Sequence, residues 1–485
     1  MNKSDTSPQR DTLEKVIGFR DYVAIGFGVI IGVGWVVYAG QWIKTGGTFG
    51  AILAFLIGGL CLIPIGKCYA ELTSALPLTG GEVAFAYKAF GPLWSFLTAW
   101  ALALNYVALP PFETIAIGAI AEATFPAIKS AALYEIGGYR ISLSTIIPGL
   151  VAGYWIIWLN WRGAKNTARF QTLATAGLLL CTFLFCAVAF LNGDYKNMTP
   201  FFAGDGAWWA VAPASIISVL VIVPFFMTGF DVIPQAAEEA GKKVEPRQLG
   251  VAIVTSIIIG TAFYVLIIAA LGYSVSEEQM EAILAQPDQL AMAQVFHASF
   301  GNEWAAKLVL IAAFLGIVST LNGMFMAATR LLFALGRGGM VPHWFAVLHK
   351  THHTPRNAII FVGALSLAGP FVGKAGLGLI VNSGSFMFTA AILITATAAL
   401  RLRKTAPELK RPYKIQPYTI WLGIIMSALL AGLMTFPGSP GQLGSAEFLT
   451  VILWMVLGLA FYYYRKRQND MNADTQAEMV LAEYR

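Results

Sequence analysis

Long apolar runs separated by short polar connections make up most of this chain. A helix needs about 20 apolar residues to cross a hydrocarbon core, and such windows fall near 20–43, 49–70, 91–122, 141–160, 168–191 and 211–237. Six more fall near 248–272, 305–333, 357–373, 376–400, 415–436 and 446–464. The pattern predicts an all-α membrane protein of twelve transmembrane helices with both termini on one side. The polar ends, 1–18 and 467–485, read as tails. The first has no apolar stretch ending in small residues, so no cleaved leader is expected.

Two of the windows are defective as helices. Gly26, Gly28, Gly32 and Gly34 interrupt the first, and each glycine costs about 1 kcal/mol against alanine inside a helix. The sixth carries Pro213, Pro224 and Pro234 together with Gly229 and Asp231, a set that no regular helix accommodates. Unwound backbone at membrane depth is tolerable only against protein or a polar cavity. Broken helices of this kind are how secondary transporters build a site at the midplane. A glycine-rich nucleotide loop is excluded, because it needs a preceding strand and a soluble βαβ unit. The breaks lie five spans apart, so the chain reads as two five-helix repeats of inverted topology, 19–195 and 196–404, with helices 11 and 12 appended over 405–466.

Composition agrees with the pattern. Hydrophobic residues make up 57% of the chain and charged residues 12%, where a soluble domain averages about 25% charged. Cys61, Cys68, Cys181 and Cys186 all fall in apolar spans, which excludes a disulfide framework and a metal site. The net charge of +6 reports topology rather than an anionic partner. With the N-terminus in the cytoplasm, only Lys44, Lys129, Arg140, Lys196, Lys307 and Lys374 of the 32 Lys and Arg stay outside. That bias places a multi-pass protein in the cell membrane with cytoplasmic termini. No basic patch is interleaved with stacking aromatics, so no nucleic-acid partner is expected.

A charged group at bilayer depth costs about 2.5–3.5 kcal/mol, so each one asks for a role. Asp231 follows the break in span 6 and either holds a substrate amine or caps the second half-helix. Glu113 follows Pro110 and Pro111 in span 3, with Asn105 two turns away on nearly the same face. It either recognises a cationic amine or carries a proton, or else reaches the outer interface. Lys67 and Glu71 at i and i+4 read as a structural pair. His349, His352 and His353 beside Lys350 read as a solvated basic loop. In the acidic outer connection, Ser276 followed by Glu277, Glu278 and Gln279 signals a helix start; that loop is either a lid or a solvated segment.

The dipoles of broken helices divide the labour at such a site. The unwound stretch Ile31, Gly32, Val33, Gly34 and Trp35 presents N–H groups at the start of an outer half-helix, suited to a carboxylate. Carbonyls around Thr228, Gly229 and Phe230 suit an ammonium, with Trp35 and Phe230 as closing aromatics or a cation–π face. A zwitterion fits both ends. Ser319 and Thr320, mid-span 8, offer hard oxygens for a small cation such as sodium, or else satisfy neighbouring backbone.

Several motifs carry a resemblance to one family. The Gly28–Gly34 opening, Pro77-Leu-Thr-Gly80-Gly81-Glu82 with Tyr87, Gly91, Phe96 and Trp100, and Asn160-Trp-Arg162-Gly163 with Arg169 and Gln171 are three of them. Gly229-Phe230-Asp231 with Glu238 and Glu239, and Arg330, Arg337, Pro342 and Pro355-Arg356, complete the set. Over roughly 16–470 the chain resembles the amino acid, polyamine and organocation (APC) superfamily of permeases, with the leucine-transporter-like inverted-repeat fold. The resemblance implies that spans 1, 2, 6 and 7 rock against the remaining core, that span 3 lines the pathway, and that hydroxyls on span 8 meet span 1 in sodium-coupled relatives. Many proton-coupled relatives carry a lysine within span 5 against span 1. Leu178 or a neighbour stands there in this chain, which excludes coupling through that group.

The reading is a secondary permease, not an enzyme, moving a small amino acid or related amine by alternating access, without cofactor or metal. A proton or sodium is a candidate co-substrate, the lipid bilayer is its medium, and oligomeric state is not legible. The alternative is a permease for a carboxylate-free amine such as ethanolamine or a polyamine, centred on Glu113 and Asp231. A membrane-embedded transferase lacks the His, Asp and Arg cluster it would need.

Overall fold

The computed structural model describes residues 12–32, 34–137, 139–285, 295, 303–439, 442–468 and 471–484. Among the described residues, ten helices are long and apolar enough to cross a membrane. The chain is mostly helical, and apolar side chains coat its outside: Leu173, Leu180, Phe183 and Leu191 on one helix, Ile452, Leu453, Val456 and Leu457 on another, are all exposed. Contiguous apolar surface on that scale is what lipid covers.

The first glycine-rich window splits as expected. Helix α1 spans Phe19–Ile30 and α2 restarts at Gly34, running as Gly34–Ala75 through a sharp turn at Gly47, whose φ is 70°. The first two predicted spans therefore share one nearly continuous helical path, bent where a glycine permits it. A short helix α3, Glu82–Phe90, precedes the long α4, Pro92–Thr124. Next comes a departure from the all-α expectation. Strands β1, Ala132–Ile136, and β2, Tyr139–Ser142, form an antiparallel hairpin with Tyr134 opposite Ile141. Its alternation is confined to a few residues, too short a signal to read beside the apolar windows.

Helices α5, Leu143–Trp161, and α6, Ala164–Asn192, lead to the second interrupted segment. That segment is in pieces: α7, Trp208–Leu220, α8, Val223–Phe226, and α9, Val232–Gln235. Pro224 sits in the first turn of α8 and the chain is non-helical around Gly229, as the prolines and the glycine require. Then follow α10, Pro246–Ser274, α11, Glu277–Leu284, and α12, Glu303–Arg337. Helix α13 runs Arg356–Thr405 through a second glycine turn at Gly373, with φ 74°. Helices α14, Pro417–Thr435, α15, Ser445–Gln468, and α16, Ala473–Leu481, complete the described chain.

Both described ends of the chain lie on one face. The amides of Val16 and Ile17 donate to the carbonyl of Glu239, each at 2.9 Å, just beyond α9. Helix α16 packs on α3 and the end of α12, where Gln476 donates to the carbonyl of Gly338 at 2.8 Å. The pairing expected of Lys67 with Glu71 is not made. Glu71 instead binds Arg403 through Nε at 2.8 Å, Arg411 at 3.4 Å and the amide of Ile415 at 2.8 Å. A buried carboxylate is satisfied by guanidiniums that tertiary packing delivers, and helical spacing alone does not foresee them.

Candidate functional site

The two breaks lie against one another. Gly229 has φ 133°, and a Cβ on it would stand 2.7 Å from the amide nitrogen of Ile30, so the chain passes there backbone to backbone. Tyr264 of α10 ties the two together, its hydroxyl lying 3.1 Å from the carbonyls of both Ile30 and Phe226. These are carbonyls at a helix end, which need partners from outside the helix. Tyr264 carried no signal in the sequence beyond its place in an apolar run.

Each predicted residue except Val33 can be placed. Ile31 is buried and Gly32 partly exposed in the unwound turn, while Val33 lies outside the described residues. Gly34 opens α2 beneath the ring of Phe226, whose edge lies 2.5 Å from where a Cβ would be. Phe226, not Phe230, therefore covers this helix start. Trp35 is fully buried, edge-on to Phe185 and Phe263 with centroids 6.2 and 5.9 Å away. Its indole nitrogen has no hydrogen-bond partner among the described residues. Phe230 packs edge-on against Tyr69 at 5.4 Å. Thr228 is partly exposed and donates to the carbonyl of Phe225 at 3.2 Å.

Asp231 is fully buried. Its carboxylate accepts the amide of Gly229 at 2.8 Å and the hydroxyl of Tyr106, so it braces the break from within. Tyr106 is the neighbour of Asn105 on α4, turned about 100° around the helix axis. Asn105 instead packs its backbone against Gly384, where a Cβ would stand 3.0 Å from its Cα. Glu113 is buried on α4, about 10 Å further along the axis than Tyr106.

Ser319 and Thr320 meet the end of α1 as the sequence led one to expect, but as donors. Ser319 donates to the carbonyl of Gly28 at 3.0 Å, and Thr320 lies 3.4 Å from the carbonyls of Gly28 and Val29. Gln171 of α6 donates to the Ser319 hydroxyl at 2.6 Å, with Thr175 bonding the carbonyl of Ala24. These bonds satisfy carbonyls in the second half of α1 from within the protein. Of the span 5 residues facing α1, Gln171, Thr172 and Thr175 carry polar contacts, Thr172 donating to Asp21 at 2.6 Å, while Leu178 is buried and apolar.

A chain of buried polar groups runs from here to the face that carries the termini. Gln171 accepts from Asn322 at 2.8 Å, Asn322 accepts from Asn160 at 3.2 Å, and Arg330 reaches Asn160 at 3.4 Å. Arg330 then pairs with Glu239 at 2.8 Å, and Arg337 holds Glu238 in a two-pronged contact at 3.0 and 2.9 Å. Both guanidiniums come from the end of α12 and both carboxylates follow α9. The segment beyond the second break is thus locked to α12 by two buried ion pairs.

The two broken helices are thus bridged by a tyrosine, with aromatics packed on one side and buried ion pairs on the other. The family model for amino acid permeases matches residues 17–459. The chain belongs to the amino acid permease family, within the APC superfamily. This permease is 27% identical to the branched-chain amino acid permease BcaP of Bacillus subtilis over 477 residues, covering 95% of each chain. It is 26% identical to the methylthioribose transporter of the same organism, again covering 95% of each. To the chloroplastic cationic amino acid transporter 9 of Arabidopsis thaliana it is 29% identical, over 71% of this permease and 59% of the relative. It is a transport protein, not an enzyme. The ion-paired residues Glu238, Glu239, Arg330 and Arg337 all belong to the motifs that carried the family resemblance, yet sequence alone gave no reason to pair them.

Proposed function

We propose that the permease moves an amino acid with an apolar side chain by alternating access, its substrate held between the two breaks. α1 with the start of α2 makes a first broken crossing and α7–α9 a second. With the ten long helices they give twelve crossings, read as two inverted five-helix repeats plus α14 and α15, with the terminal face in the cytoplasm. The observation that carries the reading is the backbone-to-backbone meeting of the breaks at Gly229 and Ile30 under the Tyr264 bridge.

The substrate carboxylate would lie at the start of α2, against the amides of Gly34 and Trp35 and the unspent indole N–H of Trp35. Its side chain would meet Phe226, Phe263 and Ile31. An apolar side chain is favoured because Asp231, the acidic group nearest the break, already serves Gly229 and Tyr106. The cation reading of Ser319 and Thr320 loses support on the same ground, since both hydroxyls are already bonded to α1. The amine reading rests on Glu113, which lies further along α4.

Thermal stabilisation of the purified protein tests the reading. Leucine, isoleucine and valine should raise the melting temperature while isoamylamine, the decarboxylated partner of leucine, does not, with or without sodium. A ligand at 100 times its Kd adds about 2.7 kcal/mol, which a melting shift registers. Stabilisation by isoamylamine, ethanolamine or putrescine equal to that by leucine would transfer the site to Glu113 and Asp231.

A further inference from the structure

Four buried carboxyl groups, Asp231, Glu238, Glu239 and Glu82, cluster between the second break and the terminal face, with two buried guanidiniums to balance them. Arg330 is taken by Glu239 and Arg337 by Glu238. Asp231 has a tyrosine hydroxyl and a backbone amide. Glu82, the first residue of α3, is fully buried with a neutral partner: the side-chain amide of Gln235 on α9, which donates to Oε2 at 2.5 Å. Its other oxygen, Oε1, is buried beside the hydroxyl of Tyr69, again a neutral group.

We propose that Glu82 is a proton-binding site of the transport cycle, protonated while α9 is packed against α3 and deprotonated when α9 swings away and water reaches it. The groups that face it are Tyr69 of α2, Gln235 of α9, Asp231 at the break and, at longer range, Tyr106 of α4. None is a cation. The start of α3 favours an anion only weakly, while burying a carboxylate without a cation beside it is far costlier, so the neutral form prevails. Burial, reinforced by the neighbouring Asp231 carboxylate, holds the Glu82 carboxyl well above the usual carboxylate range. Protonation of Oε1 supplies the donor that the Tyr69 hydroxyl can accept. It also removes the repulsion from Asp231 across the closed gate.

The coupling follows from which elements carry the groups. Glu82 stands on α3, packed on α4 and α13, whereas Tyr69 and Gln235 stand on α2 and α9. Opening the terminal face separates the carboxyl from its amide partner and admits water, so one proton leaves Oε1 for the cytoplasm in each cycle. This step rests on the alternating-access reading, while the buried protonated acid does not.

Two measurements test it. Infrared spectra of the purified permease at pH 7 should show a protonated-carboxyl C=O band that Glu82→Gln removes. An unchanged band overturns the proposal whatever the substrate proves to be. In proteoliposomes, Glu82→Gln should retain leucine counterflow within about twofold while pH-gradient-driven leucine accumulation falls more than tenfold. Retained accumulation overturns the proposal, and so does loss of counterflow to the same extent, which would make Glu82 a structural brace only. If wild type neither binds nor moves leucine, the proposed function fails and the infrared result stands on its own.

Discussion

The two sides of the break are closed by different physics. Toward the terminal face, α9 and the turn after it are fixed by ions: Glu238 to Arg337, Glu239 to Arg330, all buried. Toward the opposite side, closure is aromatic. Trp35 stands against Phe185 and Phe263, and Trp42 meets Phe226 and Phe55 at 4.8 and 4.6 Å. Aromatic packing carries no net charge and opens by small sliding steps, each edge contact being worth about 0.5–1.5 kcal/mol. A buried ion pair keeps nearly all of its strength until water arrives and then loses it together, since the desolvation cost and the attraction vanish in step. The ionic side should thus open as a switch and the aromatic side by degrees.

The sharpest way to break that comparison is at Arg330. Replacing it by Met leaves Glu239 buried without its cation and should cost about 3–5 kcal/mol in thermal or denaturant unfolding. The double variant Arg330→Met with Glu239→Gln should recover a large part of the loss, because it removes the stranded charge as well. If the double variant is as unstable as the single one, the pair does not hold the gate. Next in size is Gly229→Ala. Alanine at φ 133° costs at least about 2 kcal/mol, and its Cβ would collide with the backbone of Ile30 rather than with a side chain that could move. Leucine-dependent stabilisation should be lost before the fold is, which ligand-shift thermal scans would detect.

How much of this was legible depends on the distance over which each signal acts. The spans and both breaks are written locally, as apolar windows interrupted at Gly26–Gly34 and Pro213–Pro234, and they appear where those interruptions lie. Glu71 misled for the opposite reason. Lys67 is its neighbour at helical spacing, but Arg403 and Arg411, more than 300 residues away, are the cations that reach it. Asp231 was legible as an acid at the break, and its partner Tyr106 was not, because a tyrosine between Asn105 and Val107 in an apolar run looks like packing. Tyr264 was hidden in the same way, whereas Glu82 stood in a quoted motif with nothing local to show that it is buried. The Ser276 helix start, by contrast, is a four-residue pattern and came out as read: Ser276 and Gln279 cap one another at the start of α11.

The aromatic side is sharpened by Trp35→Phe. One edge contact weakens and the indole N–H disappears, so stability should fall by about 1 kcal/mol while leucine affinity falls roughly tenfold. A drop in stability with affinity unchanged would mean that Trp35 is packing alone and that the carboxylate is read by the α2 amides without it. Isothermal titration of the two variants against leucine separates these outcomes.

The smallest effect is expected at Ser276→Ala. Helix α11 lies over the outer part of α2, with Met280 and Leu284 against Gly40, and a lone exposed pair, Lys44 with Glu281 at 3.6 Å, at its side. Such a pair is worth under about 1 kcal/mol and is screened by salt, and loss of the Ser276 cap costs about 1 kcal/mol or less at an exposed helix. Global stability should therefore barely change, whereas amide hydrogen exchange across 277–284 should rise about fivefold and rise further in high salt. The buried pairs of the terminal face should show no such salt dependence in the same experiment. Equal salt sensitivity on the two faces would mean that water already reaches Arg330 and Arg337, and the contrast between a switch and a graded closure would fail with it.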